Sequence, residues 1–189
     1  MPAQTAPAKP APKKPAVKQP FKELVNGKKW IVENFTGEAL KFEGDAEVNN
    51  RMQFNFFNLQ NCTIEIIGKC QLVSLADCKD VKIRVDNVIL GIDLSGCKAI
   101  DLRNRGPTPL ASVTIQKCIQ SHIWLNNQSK ETKITTIASF SSIVHFPKVD
   151  ATDEMLDDLN NWESGGIPEV YETKLEGRKL NTEGVIEED

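Results

Sequence analysis

The chain has 189 residues, a hydrophobic fraction of 40%, an aromatic fraction of 6% and a formal net charge of −3. That is one domain plus a tail, with a core built mainly from Val, Ile and Leu. No stretch approaches the about 18 consecutive apolar residues of a membrane-spanning helix, and the N-terminus has no apolar core of the kind a signal peptide needs, so a cytoplasmic location is expected.

Residues 1–20 are mostly Pro, Ala and Lys and read as a disordered, extended linker. Lys9-Pro10-Ala11-Pro12 and Lys13-Lys14-Pro15 are its candidate contacts for an aromatic groove, of the kind an SH3-type or profilin-type partner presents. Order is expected from Phe21, and residues 21–168 read as one β-rich domain. Leu24 to Val32 predicts two strands around an Asn26-Gly27 turn. Short alternating strands follow at 39–42, 52–57, 63–67, 72–75, 81–85, 89–94, 100–102, 112–115, 121–125, 133–137 and 143–146. Their alternation places Val81, Ile83 and Val85 inside and Lys82 and Arg84 outside.

Four cysteines, Cys62, Cys78, Cys97 and Cys118, head successive strands at spacings of 16, 19 and 21 residues. A repeat of roughly 20 residues with two short strands per repeat predicts an all-β solenoid of about six coils, each packed only on its neighbours. With Cys70, the cysteines make no CxxC pair and read as small buried residues, not as a zinc or redox site. A solenoid works as a surface, so the search for function turns to outward side chains.

The pattern breaks at 147–168, where Asp150 to Leu159 predicts a short helix capped by Thr152. Residues 169–189 return to extended character around Glu176-Gly177 and end in acid. The charge is uneven along the chain: residues 1–149 carry 20 basic and 13 acidic side chains, residues 150–189 carry 3 and 13. Lys174 to Leu180 resembles the N-terminal hairpin Leu24 to Trp30. A C-terminal hairpin added to the edge of a second copy would cover an exposed end of the stack by dimerising.

Catalytic signatures are missing. Gly27-Lys28-Lys29 and Gly177-Arg178-Lys179 lack the rest of a phosphate loop. His122 and His145 are isolated in the pattern and read as structural or surface residues. No cofactor, no metal site and no nucleic-acid partner are expected, and the protein is not expected to be an enzyme.

Several segments together resemble the C-terminal domain of the cyclase-associated proteins, a family of actin regulators, in its short form. They are Glu23 to Asn34, Ile66-Ile67-Gly68-Lys69, Asp77-Cys78-Lys79, Ser112 to Lys117, His122-Ile123-Trp124-Leu125, Ile167-Pro168-Glu169 and Glu176 to Leu180. Long members carry an N-terminal helical domain before this region. The resemblance implies a right-handed parallel β-helix with a C-terminal hairpin exchanged in a homodimer. It also implies binding to monomeric actin, promotion of ADP-to-ATP exchange on it, and a cytoskeleton-associated place in the cytoplasm.

Candidate actin contacts are Lys82, Arg84, Arg103, Gln116, Lys117, Ser121 and Asn126 on neighbouring coils, with Thr182, Val185 and Ile186 in the tail. Candidate dimer contacts are Tyr171, Leu175, Gly177, Lys179 and Leu180. Sequestration of actin monomers without exchange is one alternative. A GTPase-activating β-helix of the tubulin-cofactor type is another, with Arg84, Arg103 and Arg105 as fingers, although Gln53-Phe54 is followed by Asn55 where that family's motif has Arg. A secreted polysaccharide-cleaving β-helix, using Asp93, Asp101 and Arg103, is the third; free cysteines and the N-terminus argue against it.

Overall fold

The computed structural model describes residues 18–149, 151–176 and 179–185. Its framework is a parallel β-helix built on two rails of stacked strands. The first rail joins β2 (Lys29–Glu33), β4 (Gln53–Phe57), the second half of β5 (Thr63–Ala76), the second half of β6 (Lys79–Ser95), β8 (Ser112–Gln116) and β10 (Lys133–Ile137). The second rail joins β3 (Ala39–Phe42), the first halves of β5 and β6, β7 (Lys98–Asn104), β9 (Ile119–Trp124) and β11 (Phe140–Pro147). Each rail has six rungs, so the six expected coils are present.

The strands read separately at 63–67 and 72–75, and at 81–85 and 89–94, run on as β5 and β6. They bend at a register shift between Ile66 and Leu72. The expected alternation holds: Val81, Ile83 and Val85 are buried, while Lys82 is exposed and Arg84 half-buried.

Coil length explains the cysteines. Lys29 to Gln53 spans 24 residues, Gln53 to Leu72 and Leu72 to Gly91 span 19, and Ile92 to Val113 and Ser112 to Lys133 span 21. Cys78, Cys97 and Cys118 therefore stack, because Lys79 pairs with Lys98 and Lys98 with Ile119. Cys62 does not join them. Gln60 bridges to Lys79, which puts Leu59 below Cys78.

The rung-to-rung turn holds two residues of positive φ three positions apart. The first is Asn34, Asn58, Asp77, Gly96, Lys117 or Ala138, and the second Gly37, Asn61, Asp80, Ala99, Gln120 or Ser141. Cys62 follows the second and the other three follow the first. Gly96 takes its φ of +62° without strain, and a Cβ there would lie 2.6 Å from the Asp77 carboxylate, which would have to shift. The stacked thiols donate to the carbonyl two residues back: Cys78 to Ala76, Cys97 to Ser95 and Cys118 to Gln116. Ser139, next in this column, donates likewise to Ile137.

Both ends of the stack are capped by antiparallel strands. β1 (Phe21–Val25) pairs with β2 around Asn26 and Gly27, both of positive φ, and the Lys28 N–H donates to the Val25 carbonyl at 3.2 Å. At the other end β12 (Trp162–Gly166) lies antiparallel on β11. The β11 edge of the last coil is thus covered within the chain, while β10 pairs only with β8 among the described residues.

The helix expected over 150–159 is replaced by two 3-10 turns, Asp153–Met155 and Leu159–Asn161. Polar side chains bond the local backbone here and compete with the α-helix. Asp158 accepts from the Asn160 N–H, and Asn161 donates to the Met155 carbonyl. Strands β13 (Val170–Glu176) and β14 (Lys179–Val185) form a separate antiparallel pair with Leu175 opposite Leu180; among the described residues neither pairs with the solenoid. Among these residues, no helix is long and apolar enough to cross a membrane.

Candidate functional site

Stacking turns every outward position of the second rail into a column along the solenoid. One column runs Lys41, Glu65, Arg84, Arg103, Trp124, His145 and Ser164; its neighbour runs Thr63, Lys82, Asp101, His122 and Ile143. Lys82, Arg84, Asp101 and Arg103 enclose a small cleft of about 80 Å³. Arg103 is held in place there. Its Nε donates to Asp101 Oδ1 at 3.2 Å, and its guanidinium carbon lies 4.5 Å from the centre of the Trp124 ring. A guanidinium on an indole face gains from the ring's quadrupole and stays directed.

The column continues as a planar stack. The Trp124 and His145 ring centres are 3.8 Å apart at 11°, and Trp162 meets Trp124 edge-on at 5.0 Å. His122 Nδ1 lies 2.9 Å from His145 Nε2, and His145 Nδ1 lies 2.6 Å from Ser164 Oγ. Burial, then the neighbouring charge of His122, holds His145 below the usual imidazole range; Asp101 opposes this and Arg103 adds to it. Beside the stack Arg103, Arg105, Trp124, Asn126, Asp157 and Trp162 line a cavity of about 230 Å³.

The candidate contacts separate in space. Lys82, Arg84 and Arg103 share the second-rail face. Gln116 and Lys117 lie at the turn, Gln116 on the outward side of the first rail and Lys117 at a positive φ of 53°. Ser121 and Asn126 are not outward at all. Ser121 is fully buried in the inward column of Val81, Ile100 and Ser142, because its place in β9 has the parity of Ile123. Asn126 is buried and donates to the carbonyls of Gly106 and Thr108, serving the corner rather than the surface. Thr182 and Val185 lie on β14, exposed. Ile186 and Gly177 lie outside the described residues. Tyr171, Leu175, Lys179 and Leu180 all fall in the β13–β14 pair.

The histidines are not isolated. The readable signal was the 21-residue coil: one coil beyond Trp124 is His145, and His122 is its diagonal neighbour on the same face. The cysteines sit as expected. All five are free and buried; burial pushes the Cys70 thiol up to about 12, and bonding to Cys97 with burial pushes Cys118 up. Neither is a thiolate at neutral pH, so neither is a ready nucleophile or metal ligand. Among the described residues, no three His, Cys, Asp or Glu side chains converge on a metal position.

Comparison with known proteins gives one consistent answer. The family described as "Adenylate cyclase associated (CAP) C terminal" matches residues 18–187. The adenylyl cyclase-associated protein of Dictyostelium discoideum is 30% identical over 159 residues, 84% of this chain and 32% of that protein. Its counterpart in Schizosaccharomyces pombe is 32% identical over 146 residues, 77% of this chain and 24% of that protein. The chain therefore spans a third or less of these relatives' length. A crystal structure of cyclase-associated protein from Cryptosporidium parvum shares the fold, with a TM-score of 0.75 at 21% identity, covering 89% of this chain and 96% of that one.

Proposed function

Because this chain belongs to the adenylate cyclase associated C-terminal family, we propose that it binds monomeric actin, promotes exchange of ADP for ATP on it, and works as a homodimer. The observation that carries this reading is the family match over residues 18–187. The second-rail face supports it. Lys82, Arg84 and the stacked Arg103 present fixed positive charge across neighbouring coils, and such a ridge speeds encounter with an acidic partner. An exchange factor needs no nucleotide site of its own. It binds the nucleotide-poor form of its target more tightly than the closed form, and by linkage nucleotide loosens.

The test is release of a fluorescent ADP analogue from actin monomers. Faster release in the presence of this protein supports exchange. Binding with unchanged or slower release makes the protein a sequestering factor, and absence of binding overturns the reading. Charge reversal at Lys82 and Arg84 is expected to weaken binding by roughly tenfold, since few interface residues carry most of the energy, with the melting temperature unchanged. A fall in melting temperature would make these residues structural.

Dimerisation has its own support. An isolated two-stranded hairpin is marginal in water, and β13–β14 pairs only with itself among the described residues. The last coils expose Ile119, Ile137 and Phe140 where the chain leaves for that hairpin, next to the bond from Ser141 N–H to Glu169. A chain lacking residues 170–189 is expected to be monomeric by light scattering; a truncated chain that stays dimeric sinks the exchanged hairpin.

A further inference from the structure

Among the described residues, the His122–His145–Ser164 chain is a titratable cluster that spans the joint between the solenoid and its cap. His122 lies on β9, His145 on β11 and Ser164 on the capping strand β12, with contacts of 2.9 and 2.6 Å. Each bond needs a donor and an acceptor. While the pair carries at most one proton both contacts can be made, for instance with His122 Nδ1–H donating to His145 Nε2 and His145 Nδ1–H donating to Ser164 Oγ. A second proton removes the acceptor. Two imidazolium N–H groups then face each other at hydrogen-bond distance, and the ring that holds Ser164 must move.

We propose that the His122–His145 pair is a proton-operated latch, which holds β12 on the last coil while it carries at most one proton and releases it when it takes up a second. The surroundings set its threshold. From β7, Arg103 opposes a charge on His145 and Asp101 favours one, but that carboxylate is already engaged with Arg103. From β9, His122 opposes it. From β12 comes only the Ser164 hydroxyl, while its charged neighbour Glu163 is exposed and stands across from Phe146. The indole of Trp124 favours a cation on its face, but that ring already carries Arg103. Burial and the two positive neighbours hold His145 below its ordinary range, so release comes below the pH at which a free imidazole titrates, about 6.5.

The sign of the linkage follows. His145 binds its proton less readily folded than unfolded, so its contribution to stability is complete above about pH 6.5 and is lost as pH falls below that value. The latch holds β12, the strand that precedes the C-terminal hairpin, so acidification would loosen β12 before the solenoid unfolds.

The experiment is hydrogen exchange on the full chain between pH 7 and pH 4.5, expressed as protection factors so that the intrinsic pH dependence cancels. In the wild type, protection of the β12 amides is expected to fall by about tenfold or more as the cap opens locally, while β4 to β6 keep theirs. In His145→Gln, whose amide donates to Ser164 and accepts from His122 without titrating, β12 protection is expected to be flat with pH. Ser164→Ala leaves the histidine pair intact but unlinked, and β12 should then be weakly protected at every pH. Flat protection in the wild type overturns the latch. An equal acid-induced fall in His145→Gln or Ser164→Ala overturns it too, because carboxylates would then be responsible.

Discussion

The first coils and the last coils of this solenoid are built to the same plan with different interiors. Near the N-terminus the inward columns hold Val32, Phe42, Phe54 and Phe56, all fully buried, with Phe42 edge-on to Phe54 at 5.0 Å. Followed up the stack, three of the inward columns turn polar, while the columns from Trp30 to Ile134 and from Leu40 to Val144 stay apolar. Phe42, Ile66 and Val85 are succeeded by Asn104; Val81 and Ile100 by Ser121 and Ser142; Val32, Phe56, Leu75, Leu94 and Ile115 by Thr136. Asn104 is bonded to Ser129 Oγ and the Thr108 carbonyl. The hydroxyls of Ser121 and Ser142 are buried with no partner among the described residues. A coil is supported only by its neighbours, so the C-terminal end, which carries β12 and the hairpin, is the end that opens first.

The largest test of this contrast is a matched pair in one column. Phe56→Ala empties a fully buried aromatic site and should cost about 3–5 kcal/mol in urea unfolding. Thr136→Ala, four coils on, should cost less than about 1 kcal/mol, in line with a surface substitution. Comparable losses at the two positions would mean that the interior is uniform after all.

A smaller and opposite effect is expected at the buried serines. A hydroxyl without a partner carries its desolvation cost uncompensated, so Ser142→Ala and Ser121→Ala should each stabilise by about 1 kcal/mol. The urea midpoint should rise and the last coils should gain hydrogen-exchange protection. Destabilisation would show that these hydroxyls satisfy each other across the rungs.

What was legible in the sequence follows the same divide. The inward Val81, Ile83 and Val85 and the outward Lys82 and Arg84 were readable because a strand period of two coincides with a dry interior. Six coils could be counted from strand spacing. Register could not. The turn has two left-handed positions, and a cysteine follows either one, so the 16-residue gap between Cys62 and Cys78 mixes two columns that only the backbone pairing separates. Ser121 looked like a surface contact because the late interior accepts polar residues, which removes the signal that alternation supplies. The His122–His145 contact is diagonal between neighbouring coils, and only the 21-residue coil length, which sets His145 one coil beyond Trp124, points to it.

The second left-handed position shows how far stacking overrides local preference, and it provides the finest test. Early coils fill the turn with Gly37, Asn61 and Asp80, residues that tolerate positive φ; later ones place Ala99, Gln120 and Ser141 there, and Ala138 at the first position with φ 47°. An alanine in that conformation costs about 1–2 kcal/mol, and glycine returns part of this by being freer in the unfolded chain. Ala138→Gly should therefore stabilise the last coil by a net of about 0.5 kcal/mol, seen as a small rise in the urea midpoint. The same exchange at Asn61 should give almost nothing, since asparagine already visits this region at little cost. If Ala138→Gly instead destabilised, the late turn would be held by the methyl group's packing, and the strain assigned to the C-terminal coils would have to be moved elsewhere.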